Sequence, residues 1–566
     1  MHEHLSDPQP AAPVAADGAP VTLRDEAALA RLGAMIAFYL RPGDLVLLDG
    51  DLGAGKTTLA RAILRALGLP PEAEVPSPTF TLVQSYVTPR ANVAHYDLYR
   101  LREAAELDEL GLDDALDTGV AIIEWPDHGG DRLIAYAERG ASLTIALSEV
   151  DGDLDARHAQ LSATGSWRER LGRLRDLAGF LAASGRDRDE FVYLQGDASV
   201  RRYARLHAAD GMVSASRASG ADTSRASGAM RVLMDWPQQP DGPPIRDGLP
   251  YSRLAGLAEG VRPFVAISEA LAAAGLRVPR VEAHDLARGF LILDDLGDDV
   301  FQTLVRAGAD QAPLWRAGLE PLLTLRSVAP PADGMALPDG SMVRLPCYGR
   351  VALGIEVELL VDWYWPAVHG GPCPDAERAA YLAIWSGMFD RLEAMPHGWV
   401  LRDYHSPNLL RLADGGTGVI DFQDAQIGPL AYDLVSLLQD ARVDVSAELE
   451  AECLAIYCDR AAVSDRAAAT EPGFDRDAFL WSYGALGAQR NAKILGIFCR
   501  LAHRDGKPAY LAHIPRLWGY LERDLAQPGL ADLKAWFDAA FPPPTRRARI
   551  SAVRPSSPHH APPASP

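Results

Sequence analysis

Two sets of residues in this chain have the types and spacing that polyphosphate chemistry needs. The first is Gly50-Asp51-Leu52-Gly53-Ala54-Gly55-Lys56-Thr57, which fits G-x-x-x-x-G-K-[ST] at every fixed position. Glycines let backbone amides wrap an anion at the start of a helix. Lys56 then reaches the β/γ-phosphates, and the Thr57 hydroxyl holds Mg²⁺. The second set is Asp403, Asn408 and Asp421, the last two separated by the strand-like Val419-Ile420. An acid, an amide after four intervening residues and a second acid follow the logic of kinase-type phosphoryl transfer. Asp403 orients or deprotonates an attacking hydroxyl, while Asn408 and Asp421 offer Mg²⁺ the hard oxygen ligands it prefers. An acidic loop with a capping Asn is the structural alternative for that segment.

Elements that can position the first set are legible on either side of it. Leu45-Val46-Leu47-Leu48 reads as a buried strand after the Pro42-Gly43 turn, and Thr58 to Leu67 as a helix stopped by Gly68 and Pro70. Thr22 to Leu40 reads as an amphipathic helix capped near Thr22 or Asp25. Further strands are expected within Thr79–Tyr86, Val120–Ile123 and Ser142–Leu147, giving a compact α/β domain that ends near residue 165. Ser77-Pro78-Thr79-Phe80 can bring a hydroxyl toward the γ-phosphate. His95-Tyr96-Asp97-Leu98-Tyr99-Arg100 sets a carboxylate beside an imidazole and a guanidinium. Glu124 ends a strand where a second carboxylate on the Mg²⁺ side belongs. Surface ion pairing for Asp97 and simple core packing for Trp125 are the structural alternatives.

Around the second set, Trp167–Gly185 reads as an Arg-rich helix and Phe191–His207 as a hairpin. The hairpin loop is lengthened by the repeated Ser-Arg-Ala-Ser-Gly-Ala at 216–221 and 224–229. Residues 250–275 and 375–540 are mainly helical in pattern. Gln489, Arg490 and Lys493 share one helical face by spacing. A sugar or carboxylate contact and a solvated polar face are both open for them. Asp433 reads as structural, bracing the loop at Asp403 from a helix.

The chain has 566 residues, too many for one core, and a net charge of −21, which argues against a surface that coats nucleic acid. Its five cysteines form no C-x-x-C, so the usual zinc spacings are excluded and reduced thiols are expected. No uncharged apolar run is long enough for a membrane span, and the start carries no apolar signal core, so a cytoplasmic location is expected.

In order along the chain, GDLGAGKTT, SPTF, HYDLYR and IIEW make residues 20–160 resemble the TsaE family. These are the ATPase subunits of the bacterial system that makes threonylcarbamoyladenosine at position 37 of tRNA. The resemblance implies ATP and Mg²⁺ binding at Gly50 through Thr58, with Thr57 and Glu124 flanking the metal and Trp125 near the base. It makes Thr79 and Asp97 switch or catalytic positions. It also implies TsaB and TsaD as partners, with tRNA reached only through that complex.

From about residue 190 to 530 the chain resembles the aminoglycoside-phosphotransferase-like family, and more closely its AmgK type of anomeric sugar kinase. GDASVRRY at 196–203, LILDDLGD at 291–298, RDYHSPNLL and IDFQDAQIGPLAYDLVSLL carry the resemblance. It implies a small β-rich lobe and a larger helical lobe, and ATP-dependent phosphorylation of the anomeric hydroxyl of N-acetylmuramate or N-acetylglucosamine in cell-wall recycling. Ser199, Arg201 and Arg202 fall on the nucleotide-binding hairpin. Leu401 stands where such loops commonly carry His. Met234 stands where the small lobe usually offers a phosphate-binding Lys, a cation that Arg201 or Arg202 could replace. These departures leave open a non-catalytic binding module or an aminoglycoside phosphotransferase.

The fold expected is therefore an α/β P-loop NTPase domain followed by an α+β protein-kinase-like, two-lobed domain. Its boundaries are a disordered 1–20, the P-loop domain 21–165, a linker or helix 166–189, the kinase-like domain 190–541 and a disordered Pro/Arg-rich tail 542–566.

Overall fold

The computed structural model describes residues 19–194, 201–208, 230–467 and 473–546. They fall into two compact units, one running to Pro237 and taking in Glu282–Asp295, the other holding Gln238–Val281 and the chain from Leu296.

The first unit runs β1 (Val21–Leu23), α1 (Glu26–Tyr39), β2 (Asp44–Asp49), α2 (Lys56–Ala66), β3 (Val83–Val87), β4 (Asn92–Asp97), α3 (Leu112–Thr118), β5 (Gly119–Glu124), α4 (Gly130–Arg139), β6 (Ala141–Val150), β7 (Asp153–Ala163) and α5 (Trp167–Ala183). The strands form one sheet in the order β1-β7-β6-β2-β5-β4-β3. β2 is central, parallel to both β5 and β6. Its apolar run at Leu45–Leu48 is what a strand covered on both faces requires, and all four residues are buried. Asp25 caps α1, accepting the Ala28 amide at 2.6 Å. Thr22, the other candidate cap, lies instead in β1, exposed between buried Val21 and Leu23 and paired in register with His158. That alternation of buried and exposed residues is a strand period, which outweighs a hydroxyl's preference for a cap.

The same unit contains a five-stranded sheet, ordered Val281–Asp285, Phe290–Asp294, Arg231–Asp235, Arg202–His207, Glu190–Leu194. This is the small β-rich lobe. One hydrophobic cluster runs from the P-loop sheet into it, joining Leu29, Phe38, Leu64, Leu174 and Phe180 to Phe191, Leu233, Phe290 and Ile292. α5 sits at the seam. Arg170 makes two bonds to Asp44, at 2.5 and 2.6 Å. One turn on, Arg173 bonds Asp235 at 2.5 Å, and that carboxylate also accepts the Tyr39 hydroxyl at 2.7 Å. Phe180 stacks on Phe290 with ring centroids 5.6 Å apart.

The second unit is mainly helical. Its longest helices, Arg476–His503, Ala447–Ala467 and Asp375–Glu393, pack with Gln311–Arg326 and Arg350–Leu359 around two short antiparallel ribbons. The ribbon His397–Val400 with Gln426–Pro429 leads into the segment at Asp403, and Leu409–Arg411 with Thr417–Val419 leads from Asn408 to Asp421. The solvated tail expected from residue 542 begins later than its composition implies. Pro543–Arg546 form a short helix, and Arg546 is buried against Glu522 and Asp538. Two carboxylates facing one guanidinium explain why that residue folds back. The repeated hexapeptide and the residues up to 18 lie outside the described residues.

Candidate active sites

At the first site, Gly50 has φ +132°, and a Cβ there would stand 2.2 Å from the Leu147 carbonyl oxygen. Gly53 and Gly55 also have positive φ, and Gly55 is the residue from which α2 starts. The loop therefore needs glycine for its backbone path as well as for its close fit. Asp51, Leu52 and Gly53 are exposed along the loop, and Ala54 is buried beneath it. Lys56 is buried and donates to the carbonyls of Gly50 (2.5 Å) and Asp51 (2.8 Å). Burial lowers the Lys56 ammonium below its ordinary pKa, although Glu124, Asp49, Asp97 and Asp51 oppose the shift. Thr58 is half-buried on the first turn of α2.

Trp125, expected near the base, lies with its ring centre 3.6 Å from the Lys56 ammonium. Its own backbone is left-handed, at φ 60°.

Thr57 donates its hydroxyl to Glu124 Oε2 at 2.9 Å, and the other oxygen of Glu124 pairs with His95 Nε2 at 2.9 Å. A hydroxyl and a carboxylate in contact are hard oxygen donors that suit Mg²⁺. The SPTF and HYD segments meet at Asp97, which accepts Thr79 Oγ1 at 2.8 Å, the Ser77 hydroxyl, and the Tyr99 amide at 3.0 Å. Sequence reasoning did not assign roles to His95 and Ser77. The signal for His95 was available in the strand period. His95 and Asp97 share one face of β4, and Asp97 is the register partner of Glu124 on β5.

At the second site, Asp403 leaves the strand His397–Val400 on a loop braced from several sides. Asp433 accepts the amides of Leu401 (2.6 Å) and Arg402 (2.9 Å), the bracing expected of it. Tyr404 donates to the Gly318 carbonyl at 2.8 Å, and Asp440 holds both the amide and the hydroxyl of Ser406. Asn408 Nδ2 reaches the Asp403 carbonyl at 2.9 Å and Asp421 Oδ2 at 3.4 Å. The three spaced residues are therefore one cluster. The carboxylate of Asp421 and the remaining oxygen of the Asn408 amide provide the donor types Mg²⁺ takes. Five described non-glycine residues have positive φ, and three of them, Trp125, Arg402 and Asp421, stand at the two candidate sites. Such backbones persist where the surroundings over-determine them.

Burial raises the Asp433 carboxyl to about 7. Burial and the nearby Arg442 push the His405 imidazole down to about 4, so it is neutral near pH 7. Burial would raise Asp403 too, yet the surrounding charges outweigh it and hold Asp403 below the ordinary carboxylate value. In order of effect, those charges are those of His405, Arg402, Lys493 and Arg490.

Leu401, standing where His is common, is buried in the core and serves the loop through its backbone amide. Met234 is buried in its strand. Arg202 lies over the Tyr39 ring at 5.3 Å. Arg201 lies over Trp236 at 4.9 Å. Ser199 lies outside the described residues. The face of Gln489, Arg490 and Lys493 is not a solvated surface. Gln489 and Arg490 are buried and Lys493 is nearly so, because the helix Arg476–His503 runs through the middle of the second unit. Two dozen mixed residues hide that burial in the sequence.

Residues 23–157 match the family model described as threonylcarbamoyl adenosine biosynthesis protein TsaE, and residues 190–471 match the phosphotransferase enzyme family. An N-acetylmuramate/N-acetylglucosamine kinase from Caulobacter vibrioides is 41% identical over 383 residues, covering 65% of this chain and 97% of that protein. The tRNA threonylcarbamoyladenosine biosynthesis protein TsaE of Rickettsia typhi is 42% identical over 106 residues, covering 19% of this chain and 73% of that protein. Among solved structures, a choline/ethanolamine kinase family protein from Mesorhizobium loti aligns at 14% identity with a TM-score of 0.36, covering 61% of this chain and 92% of that one.

Proposed function

Because the chain belongs to the TsaE family in its N-terminal part and to the N-acetylmuramate/N-acetylglucosamine kinase family in its C-terminal part, we propose that it couples two ATP-using activities in one cytoplasmic polypeptide. In the C-terminal part, Asp403 accepts the proton of a sugar's anomeric hydroxyl. The freed oxygen attacks the γ-phosphorus of ATP, the bond from that phosphorus to the β,γ-bridging oxygen breaks, and ADP leaves. Asn408 and Asp421 hold Mg²⁺, which supplies charge neutralisation on the phosphates when bound. The acceptor is N-acetylmuramate or N-acetylglucosamine, and cell-wall sugar recycling is its setting. The observation that carries this reading is that Asn408 joins the backbone of Asp403, on its braced loop, to the carboxylate of Asp421 at the far end of the next ribbon.

In the N-terminal part, Lys56 and the loop amides grip ATP, and Thr57 with Glu124 holds a second Mg²⁺. Thr79 and Asp97 respond to the γ-phosphate. The nucleotide state then sets affinity for TsaB and TsaD, which bring tRNA to the complex, since a ligand shifts an assembly only through differential affinity for its states.

Measuring ADP release from the full chain with N-acetylmuramate, N-acetylglucosamine and an aminoglycoside tests the kinase. Turnover with the acetylated sugars that disappears in Asp403→Asn supports it, and turnover with none of the three refutes it. For the N-terminal part, TsaB and TsaD that stay unbound with ATP, with ADP and without nucleotide would refute the assignment.

A further inference from the structure

We infer that Lys493 is the cation that meets the transferred phosphoryl group, and that Glu356 is the positioning residue that aims it, an inference resting on phosphoryl transfer at Asp403.

The chain uses lysine sparingly. Of 55 basic residues only Lys56, Lys493, Lys507 and Lys534 are lysines. Lys507 and Lys534 are exposed, Lys56 belongs to the phosphate loop, and Lys493 is nearly buried in the second unit. Arginine carries the positive charge almost everywhere else. A lysine kept at such a place supplies what arginine does not, a compact ammonium with three rotatable donors.

Glu356 is wholly buried and receives four donors. Oε1 takes Lys493 Nζ at 2.8 Å and Arg402 Nη2 at 2.7 Å. Oε2 takes the Tyr348 hydroxyl at 2.6 Å and Gln489 Nε2 at 3.0 Å. One carboxylate between two cations leaves net positive charge beside Asp403. Arg402 cannot bring that charge to a ligand, because its guanidinium is also tied to the Ala255 carbonyl at 2.6 Å. Lys493 can. Its other partner is the Tyr432 hydroxyl at 3.4 Å, which leaves a third N–H, and its side chain keeps 13% exposure. Met234 offers no charge. Glu356 Oε1 thus holds the ammonium together with the guanidinium of Arg402, the residue that precedes Asp403 in the chain. The carboxylate of N-acetylmuramate hangs from O3, two ring carbons from the anomeric carbon, so it is a separate anionic group from the one transferred.

As the anomeric oxygen bonds to phosphorus and the bridging oxygen leaves with its electron pair, negative charge on the phosphoryl oxygens meets the Lys493 donor. Removing one donor of this kind lowers turnover about 100-fold or more in comparable sites.

The test uses the full chain with both acetylated sugars, after Asp403→Asn has established turnover at this site. Lys493→Met, close in volume, is expected to lower kcat about 100-fold for both sugars while the KM for ATP stays within about threefold. Lys493→Arg, which keeps the charge, is expected to recover at least about tenfold of that loss, and it carries the test if Lys493→Met does not fold. Glu356→Gln is expected to lower kcat in the wild-type background and to lower it no further in Lys493→Met, since the two act as one unit. A kcat within threefold of wild type for Lys493→Met overturns the inference. So does a higher KM for N-acetylmuramate alone, which would mark Lys493 as a carboxylate contact. Absence of sugar turnover in the wild type would instead refute the kinase reading itself.

Discussion

Asp433 makes the stability of the loop at Asp403 depend on pH in a calculable way. Its carboxyl is buried and raised from 3.8 to about 7 by that burial, while it accepts the amides of Leu401 and Arg402. An acid whose folded pKa exceeds its unfolded one favours the folded state in its protonated form. The contribution is complete below pH 3.8 and drains away as pH rises to about 7. Between those limits the loss is about 1.4 kcal/mol per pH unit, roughly 4 kcal/mol in all. Asp433→Asn removes the titration and leaves an offset independent of pH. Peptide-level hydrogen exchange over residues 397–410, corrected for the intrinsic rate and read as an opening free energy, isolates this segment from the rest of the chain. Between about pH 5 and 7.5 the wild type is expected to lose roughly 2–3 kcal/mol more than Asp433→Asn, with parallel behaviour above about pH 8. Parallel curves throughout, or a wild type that gains stability across that window, would refute the reasoning.

At the phosphate loop, Gly50→Ala forces a Cβ against the Leu147 carbonyl at 2.2 Å and demands a φ of +132°. Nucleotide binding to the N-terminal half is expected to fall at least about tenfold by calorimetry, while sugar-dependent ADP release is unchanged. At the seam, a fragment beginning at Glu190 lacks the Phe180 ring stacked on Phe290 and the Arg173 guanidinium 3.8 Å over it. A fragment beginning at Ser166 keeps both. Losing an aromatic from a core costs about 3–5 kcal/mol, so the shorter fragment is expected to melt several degrees lower; equal melting temperatures would count against a structural role for α5.

The chemistry of both sites was legible because each rests on a short, contiguous motif. Gly50–Thr57, Asp403–Asn408 and Asp421 can be recognised without knowing what surrounds them, and the strand, glycine loop and helix at 44–66 follow from apolar runs and breakers. What the sequence concealed depends on pairs far apart in the chain. Glu356 stands in Gly354-Ile355-Glu356-Val357-Glu358, and nothing local separates it from Glu358, which is only partly buried and pairs with Arg246 and Arg378. Its meaning comes from Arg402, forty-six residues away, and Lys493, farther still. Arg202 faces Tyr39, at the far end of α1, and nothing in the hairpin's own sequence foretells that neighbour. The left-handed backbone of Trp125 is likewise a property of the β5 exit and not of the residue type.

The lysines of the two candidate sites are held by opposite means, and that difference suits each to the part proposed for it. Lys56 is gripped by two carbonyls and an aromatic face, with no carboxylate among its hydrogen-bond partners. Neutral dipoles only partly repay the desolvation of an ammonium, so its pKa falls. Lys493 is desolvated as well, yet a buried carboxylate in direct contact carries its pKa above the ordinary value. Its charge is therefore permanent near neutral pH and its position is pinned by an ion that is itself saturated by four donors. A loop whose task is to change with nucleotide state gains from a cation that can let go. A site that stabilises charge appearing only during phosphoryl transfer gains from one that cannot, because the reorganisation is done when the protein folds and not in each turnover.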